Sequence, residues 1–254
     1  MQKKKRILLK VGSNTLTKET DNISRGKIED IANQIAKLQD TCEFIIVSSG
    51  AIAVAKQFVK LESKQEEVFV KQALASIGQP HLIRIYQEIF REYGLLSSQC
   101  LLSYSDFERQ QSKTNIVNTI NVLVNNNYIP IINENDTVAT DEIQFGDNDK
   151  LAALTATLLN VDLLIIATNT NGIYTKESFN NNKPETILEV LNFDDLKNEV
   201  VNSKSTHGSG GMASKIEAAE ISKNANIETW IVNGLEDNFI VNAMHNKVPF
   251  TKIK

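Results

Sequence analysis

The segment Phe44-Ile45-Ile46-Val47-Ser48-Ser49-Gly50-Ala51 joins a short apolar run to a cluster of small residues. Four apolar residues followed by Ser-Ser-Gly predict a buried β-strand. A helical pattern begins at Ala51, so the small residues would open a helix whose backbone amides and partial positive charge attract a carboxylate or a phosphate. The alternative is that Ser48 or Ser49 only caps this helix.

Other short apolar runs alternate with helical patterns along the chain. The strand-like runs are Ile7–Val11, Ser98–Leu102, Ile129–Ile132, Leu163–Ala167 and Trp230–Val232, and helical spacing recurs over residues 28–38, 82–90, 116–123, 151–158 and 212–219. Short strands separated by helices predict a mostly parallel sheet that is covered on both faces. We therefore expect an α/β fold, a three-layer α/β/α sandwich with a mostly parallel central sheet.

Length and composition indicate a single globular domain and argue against nucleic-acid and membrane partners. The 254 residues are 41% hydrophobic and 23% charged, which predicts one domain over residues 1–254. A net charge of −4 gives no basic surface for nucleic acid. Apolar runs are far shorter than the about 20 residues of a membrane helix, and Cys42 and Cys100 lack metal-site spacing. We predict a soluble cytoplasmic protein with no nucleic-acid or membrane partner.

The loop after the first strand places a lysine beside a glycine turn. Ligands of parallel α/β sheets bind beyond the carboxyl ends of the strands, so these loops are where chemistry is expected. The loop is Lys10-Val11-Gly12-Ser13-Asn14, whose backbone amides would approach an anion if it forms a flexible turn. The alternative is an edge lysine before an ordinary glycine turn.

Acidic and amide side chains are concentrated around the fourth strand-like run. Asn133-Glu134-Asn135-Asp136 follows that run, and Gly146-Asp147-Asn148-Asp149-Lys150 precedes a helix. Such acceptors suit a substrate ammonium, and carboxylates also hold neighbouring lysines in place. The alternative is a pair of Asx-rich turns. The lack of His and Cys argues against a transition-metal site, and we predict no metal-ligating residues.

A glycine-rich segment opens the last long helical pattern. In Gly208-Ser209-Gly210-Gly211-Met212-Ala213-Ser214-Lys215, the glycines permit close backbone approach and Lys215 lies one turn inside the helix. The spacing is neither that of a Walker A motif nor that of a dinucleotide-binding motif. The segment therefore indicates a phosphate cradle, with a flexible surface loop as the alternative.

Taken in chain order, from the Lys10 loop to Ser209–Lys215, these four elements resemble the amino acid kinase family over nearly the whole chain. The Asn-Glu-Asn-Asp and Gly-Asp-Asn-Asp elements are similar to those of members that phosphorylate the side-chain carboxylate of L-glutamate, the first step of proline biosynthesis. The resemblance implies ATP with Mg²⁺ as phosphoryl donor, a homo-oligomer (dimer or tetramer) and feedback inhibition by L-proline.

The resemblance also assigns site residues. The expected catalytic residues are Lys10, Lys215 and Asp149. The expected residues for the acceptor are Ser49, Gly50, Asn133, Asp136, Asp147 and Asn148. The expected residues for the nucleotide are Lys10, Gly12, Ser13, Thr168, Asn169, Ser209, Gly210, Gly211, Met212, Ala213, Ser214 and Lys215.

A carboxylate acceptor simplifies the chemistry that these residues must perform. It is already ionised at neutral pH, so no general base is needed, and we expect His81, His207 and His245 to be surface or packing residues. Two anions must instead be brought together, which requires cations. We expect Lys10 and Lys215 to stabilise the transferring group from opposite sides while Asp149 orients both.

The chain departs from the family pattern at three places, and two alternatives stay open. Asn169 stands where the family usually has an acidic residue, Lys176-Glu177-Ser178 replaces a common Asp-Pro, and we expect a short form without the C-terminal PUA (RNA-modification-type) domain of many bacterial members. The first alternative is a family member acting on aspartate, acetylglutamate, carbamate or a nucleoside monophosphate. The second is a non-catalytic ligand-binding protein of the same fold.

Overall fold

One mixed sheet runs through the part of the chain that the computed structural model describes, namely residues 3–61, 67–138, 148–175, 177–178, 181, 184–193, 196 and 211–254. Its strands are β1 (Lys5–Val11), β2 (Cys42–Ser48), β3 (Leu96–Leu102), β4 (Tyr128–Glu134), β5 (Leu163–Thr168), β6 (Glu189–Val190), β7 (Glu228–Asn233) and β8 (Thr251–Ile253). They lie in the order β3-β4-β2-β1-β5-β7-β8-β6. Every pairing is parallel except β7 with β8.

Helices cover both faces of this sheet. They are α1 (Ser13–Thr17), α2 (Arg25–Leu38), α3 (Ala51–Lys56), α4 (Val68–Glu92), a 3₁₀ helix (Tyr104–Phe107), α5 (Gln110–Asn125), α6 (Asp149–Leu159), α7 (Met212–Asn224) and α8 (Phe239–Met244). Apolar residues of α2, α4 and α8 form the core on one face, and those of α5, α6 and α7 pack on the other. The predicted three-layer α/β/α sandwich with a mostly parallel sheet is confirmed.

The central strand β1 shows how the sequence assigns side chains to the two faces. Successive residues of a strand point to opposite sides. Ile7 and Leu9 enter the core with α2 and α4, whereas Leu8 enters the core with α6. Lys10 follows the Leu8 side of the alternation, which directs its side chain toward α6.

The six predicted strand runs all lie within observed strands, and two details differ. The strands β6 and β8 were not predicted, because two or three residues show no alternation that can be recognised. The flexible turn expected after Lys10 was wrong, since α1 begins at Ser13. Gly12 there has a φ of −79°, which any residue adopts.

The start of α3 differs from the simple serine cap that the sequence allowed. The residue that caps α3 is Gly50, and no side chain caps the helix. Its φ of +109° lies in the left-handed region, which favours glycine. The backbone N–H of Ser49 donates to the carbonyl of Val11 at 3.0 Å, so this amide is already occupied.

A glycine lets α4 approach α3 unusually closely. A Cβ atom at Gly78 would collide with the backbone carbonyl of Ala51, so no larger residue fits without moving one of the helices. This contact fixes where the middle of α4 lies and therefore where the next residue, Gln79, projects. No helix in the described part of the chain is long and apolar enough to cross a bilayer.

Candidate active site

The predicted site residues gather at one edge of the sheet. Because β1, β2, β4 and β5 are parallel, their carboxyl ends meet at that edge. Lys10, Asn133 and Thr168 lie near or at the ends of three of these strands, and Ser49 follows the fourth. The N-termini of α6 and α7 bring Asn148, Asp149 and Lys215 to the same place. All seven of these side chains are buried.

One carboxylate holds two lysines that are distant in sequence. Asp149 is the first residue of α6 and is fully buried. Its Oδ1 lies 2.5 Å from Nζ of Lys10, and its Oδ2 lies 3.0 Å from Nζ of Lys215. Ser214 donates from Oγ to the same Oδ2 at 3.3 Å. The structure therefore brings together the three residues that the sequence singled out for catalysis.

The electrostatics of this triad favour an anion. Two ammonium groups and one carboxylate leave a net charge of +1, and Lys10 and Lys215 are only 3% and 7% exposed. Charges interact more strongly where water is largely excluded. Asp149 separates and orients the two cations, and its place in the first turn of α6 is favoured by the helix dipole. A phosphate group approaching this edge would meet fixed positive charge.

A chain of buried side-chain amides lies beside the triad. Asn148 donates from Nδ2 to Oγ of Ser49 at 3.0 Å and to Oδ1 of Asn133 at 2.8 Å. That Oδ1 also accepts the backbone N–H of Glu134 at 2.9 Å, and Asn133 Nδ2 donates to Oε1 of Gln79 at 2.8 Å. Oδ1 of Asn148 is buried and has no hydrogen-bond partner among the described residues.

Asp136 is a second buried acceptor, two residues beyond the end of β4. It follows β4, is 7% exposed, and its Oδ1 has no hydrogen-bond partner within the described ranges. Burial raises the pKa of Asp136 to about 6, because the carboxylate is removed from water without a compensating cation. A bound ammonium would supply that cation. The acceptor side of the site is therefore built to receive a positively charged donor.

Sequence reasoning did not single out Gln79, or Tyr86, which contacts a residue of the predicted anion motif. The Oγ of Ser48 lies 3.0 Å from the hydroxyl of Tyr86, which is fully buried, and burial raises the pKa of Tyr86 above its usual range. Gln79 and Tyr86 both belong to α4. The sequence marks that helix only by its apolar spacing, so nothing local signals that it forms a wall of the site.

Among the residues predicted for the nucleotide, Thr168 ends β5, which lies on the side of β1 opposite β2 and β4. The Thr168 carbonyl accepts the N–H of Gly234 at 2.7 Å, and Asn169 Nδ2 donates to Oε1 of Glu19 at 2.8 Å. Gly12 and Ser13 lie at the start of α1, Gly211 caps α7, and Met212, Ala213, Ser214 and Lys215 form its first turn. Asp147, Ser209 and Gly210 lie outside the described residues.

The histidines take no part in the geometry that the structure describes. The ring of His81 packs on Phe58 with centroids 4.5 Å apart, and Nδ1 of His245 lies 2.7 Å from the carbonyl of Val241 in α8. His207 lies outside the described residues. Where the structure describes the chain, no group of three or more His, Cys, Asp or Glu side chains is arranged to hold a metal ion.

Comparison with known proteins gives one family. The model of the amino acid kinase family matches residues 5–233 of this chain. Among the relatives, the glutamate 5-kinase of Alkaliphilus metalliredigens is 37% identical over 96% of this chain and 93% of the relative. That of Alkaliphilus oremlandii is 38% identical over 99% and 96%. A longer one, from Thermoanaerobacter sp., is 40% identical over 95% of this chain and 65% of its own length.

Solved structures share the fold at low identity. The UMP kinase of Ureaplasma parvum superposes with a TM-score of 0.68 at 16% identity, covering 100% of both chains. A carbamate kinase from Giardia lamblia bound to AMP-PNP gives 0.69 at 15% identity, covering 100% of this chain and 99% of that chain. These likenesses extend across the whole sheet and its helices.

Proposed function

The chain belongs to the amino acid kinase family, and we propose from that premise that it is a kinase transferring the γ-phosphoryl group of ATP to the side-chain carboxylate of L-glutamate. The product is L-glutamyl 5-phosphate, and the step opens proline biosynthesis. The relatives named glutamate 5-kinase match almost the whole of this chain and support this choice of acceptor. One structural observation carries the proposal: two buried lysines converge on Asp149, and the neighbouring residue Asn148 keeps a buried acceptor without a partner among the described residues.

The reaction joins two anions. A side-chain oxygen of glutamate attacks the γ-phosphorus, the bond from that phosphorus to the β-phosphate oxygen breaks, and ADP leaves. The acceptor carboxylate is ionised at neutral pH and needs no base. Charge accumulates on the transferring phosphoryl group and on the departing phosphate, where fixed cations are most effective.

Lys10 and Lys215 would supply these cations. Their Nζ atoms lie on opposite oxygens of Asp149, so the carboxylate holds them in place before the substrates arrive. Pre-orientation of charge means that little reorganisation accompanies the reaction. The phosphoryl donor would be ATP with Mg²⁺, which would neutralise part of the charge on its phosphates. Mg²⁺ usually keeps several waters and is bound largely through phosphates, so it does not require a cage of protein ligands.

The acceptor pocket favours an amino acid over the other acceptors considered. Oδ1 of Asp136 and Oδ1 of Asn148 are buried acceptors that an ammonium would satisfy. Carbamate and N-acetylglutamate carry no ammonium, and the phosphate of a nucleoside monophosphate would be repelled by Asp136. Aspartate keeps the ammonium but is one methylene shorter, a difference that costs about 10–200-fold in specificity.

Nucleotide binding is assigned to the side of the triad formed by α1, β5 and α7. Gly12, Ser13, Thr168 and Asn169 lie at the ends of neighbouring strands, and Gly211 to Lys215 form the cap and first turn of α7, with Ser209 and Gly210 preceding them in sequence. Asn169 stands where an acidic residue was expected, and its amide donates to the carboxylate of Glu19, so an acidic group is still present at this position.

The test is to trap the product chemically. An acyl phosphate reacts with hydroxylamine to give a hydroxamate, so the chain is incubated with ATP, Mg²⁺, hydroxylamine and either L-glutamate, L-aspartate, N-acetylglutamate or carbamate. UMP is added separately, and ADP release is followed in every reaction. We expect hydroxamate and ADP with L-glutamate. A preference for another acceptor would reassign the substrate, and no acceptor-dependent ADP release would support a non-catalytic protein.

Assembly and regulation are assigned by resemblance alone. A homo-oligomer is consistent with the edge strand β3, on which Leu96 and Leu101 are exposed, since a bare apolar edge invites pairing. Light scattering would measure the dimer or tetramer. Adding L-proline to the trapping assay would measure feedback inhibition. A single domain over residues 1–254 and a cytoplasmic location stay predictions.

A further inference from the structure

Gln79 presents a buried hydrogen-bond donor to the acceptor pocket. It lies on α4, is 8% exposed, and its Nε2 has no partner among the described residues. We propose that Gln79 binds the α-carboxylate of the acceptor amino acid through this Nε2. The inference rests on the proposed function and adds a specificity-determining residue to it.

The orientation of the Gln79 amide follows from a backbone group. Side-chain amide oxygens and nitrogens are assigned from their hydrogen-bond partners, and a backbone N–H can only donate. The N–H of Glu134 lies 2.9 Å from Asn133 and so identifies its oxygen, Oδ1. Nδ2 of Asn133 must then donate, and the atom of Gln79 that it meets at 2.8 Å must be the oxygen. Nε2 of Gln79 therefore does not bond to Asn133 and has no hydrogen-bond partner among the described residues.

The unpaired atoms of the pocket match a zwitterion. Nε2 of Gln79 is a donor, whereas Oδ1 of Asp136 and Oδ1 of Asn148 are acceptors. Buried polar groups are nearly always satisfied in native proteins, so the two unsatisfied ends of this chain of amides, together with the buried carboxylate of Asp136 after β4, indicate a ligand. An α-amino acid offers a carboxylate to the donor and an ammonium to the two acceptors. A dicarboxylic acid without an amino group would satisfy only the donor.

The order of side chains decides which carboxylate Gln79 receives. Lys10 and Lys215 contact Asp149. The residue before Asp149 is Asn148, and its amide leads through Asn133 to Gln79. The reacting carboxylate must lie by the lysines, where the γ-phosphoryl group arrives. Gln79 stands at the opposite end of the hydrogen-bonded chain, so it receives the α-carboxylate.

Helix α4 is held firmly enough to serve as this wall. Gly78 packs directly against the backbone of Ala51, and the Oγ of Ser76 lies 2.9 Å from Oγ1 of Thr137, one residue after Asp136. Gln79 is one turn beyond Ser76 on the same helix. Both the helix and the segment after β4 are thus fixed relative to each other, which a directional hydrogen bond to substrate requires.

Two variants separate substrate binding from support of Asn133. Gln79→Glu keeps an oxygen for Asn133 Nδ2 but replaces the donor by a negative oxygen, and Gln79→Met removes both. At pH 8 we expect kcat/KM for L-glutamate to fall about 10- to 100-fold in Gln79→Met and at least as far in Gln79→Glu, while the KM for ATP is unchanged. Gln87→Met, an exposed glutamine on the same helix, should behave like the wild type.

The outcomes are distinguishable from failure of the proposed function. If the wild type forms no glutamyl hydroxamate, the proposed function is wrong and this inference falls with it. If the wild type is active and Gln79→Glu keeps its kcat/KM, then Gln79 only supports Asn133 and the inference alone is overturned. Thermal melting checks that each variant is folded, and Gln79→Met with unchanged glutamate KM would also overturn the inference.

Discussion

Asp149→Asn tests whether one carboxylate organises both catalytic cations. Asparagine has nearly the shape of aspartate, so the substitution removes charge and leaves packing largely intact. Lys10 and Lys215 would then face each other as buried like charges, 3% and 7% exposed, without their shared counter-ion. Breaking a buried ion pair by removing one partner costs about 3–5 kcal/mol. We expect the unfolding free energy of the ligand-free protein to fall by about that amount.

The same substitution should reduce turnover severely. Loss of a single oriented donor lowers kcat by about 10²–10³-fold in enzymes that stabilise charge in this way. Asp149 orients two such donors, so kcat should fall at least about 10²-fold even when ATP and glutamate are saturating. Added ATP should restore part of the lost stability, because its phosphates supply the negative charge that the variant lacks.

The measurements are urea unfolding with and without ATP and ADP release at saturating substrates. Asp40→Asn, at an exposed aspartate just after α2, is the matched control and should change neither quantity. Turnover of Asp149→Asn within tenfold of the wild type would refute the assignment of Asp149 as the group that orients both lysines.

Three further substitutions probe the rest of the site. Lys215→Ala should lower kcat about 10²–10³-fold in the ADP-release assay. The control Lys37→Ala, on the exposed side of α2, should leave kcat unchanged. Near-normal turnover of Lys215→Ala would contradict a transition-state role for Lys215. Asp136 should lose its hold on the substrate ammonium as pH falls through about 6, so the KM for glutamate should rise there in the wild type. Asp136→Asn should have a high KM at every pH, and a wild-type KM that does not change between pH 5 and 8 would count against this role. Gly78→Ala should destabilise the protein by about 1–3 kcal/mol in urea unfolding and raise the KM for glutamate, because α4 must move away from Ala51; a variant as stable as the wild type would mean that the contact is loose.

The fold and half of the site were predictable because their signals are local. Consecutive apolar residues such as Leu163–Ala167 predict a buried strand. Ligands of parallel α/β sheets bind beyond the carboxyl ends of the strands, so the loops after the strands could be searched for site residues. Lys10, Asn133 and Asp136 were found in this way. Asp149 was found because it opens a helix next to an acidic cluster.

The remaining part of the site depends on contacts that no local pattern encodes. Gln79 meets Asn133 across 54 residues of sequence, and Tyr86 meets Ser48 across 38. Both belong to a helix that looks like ordinary core until its position beside β4 is known. The five-residue α1 was likewise missed, because so short a helix shows no apolar stripe.

The close contact of Gly78 with Ala51 has a consequence for how acceptor preference can change. A helix pinned by backbone contact cannot slide or tilt to enlarge the pocket without losing its own packing. Homologues or designed variants that accept shorter or longer acids would therefore differ in the side chains of α4 that face the acceptor, and Gln79 is the position at which we first expect a difference. We therefore expect the position of α4 to stay constant while single substitutions on it change which acceptor acid is preferred.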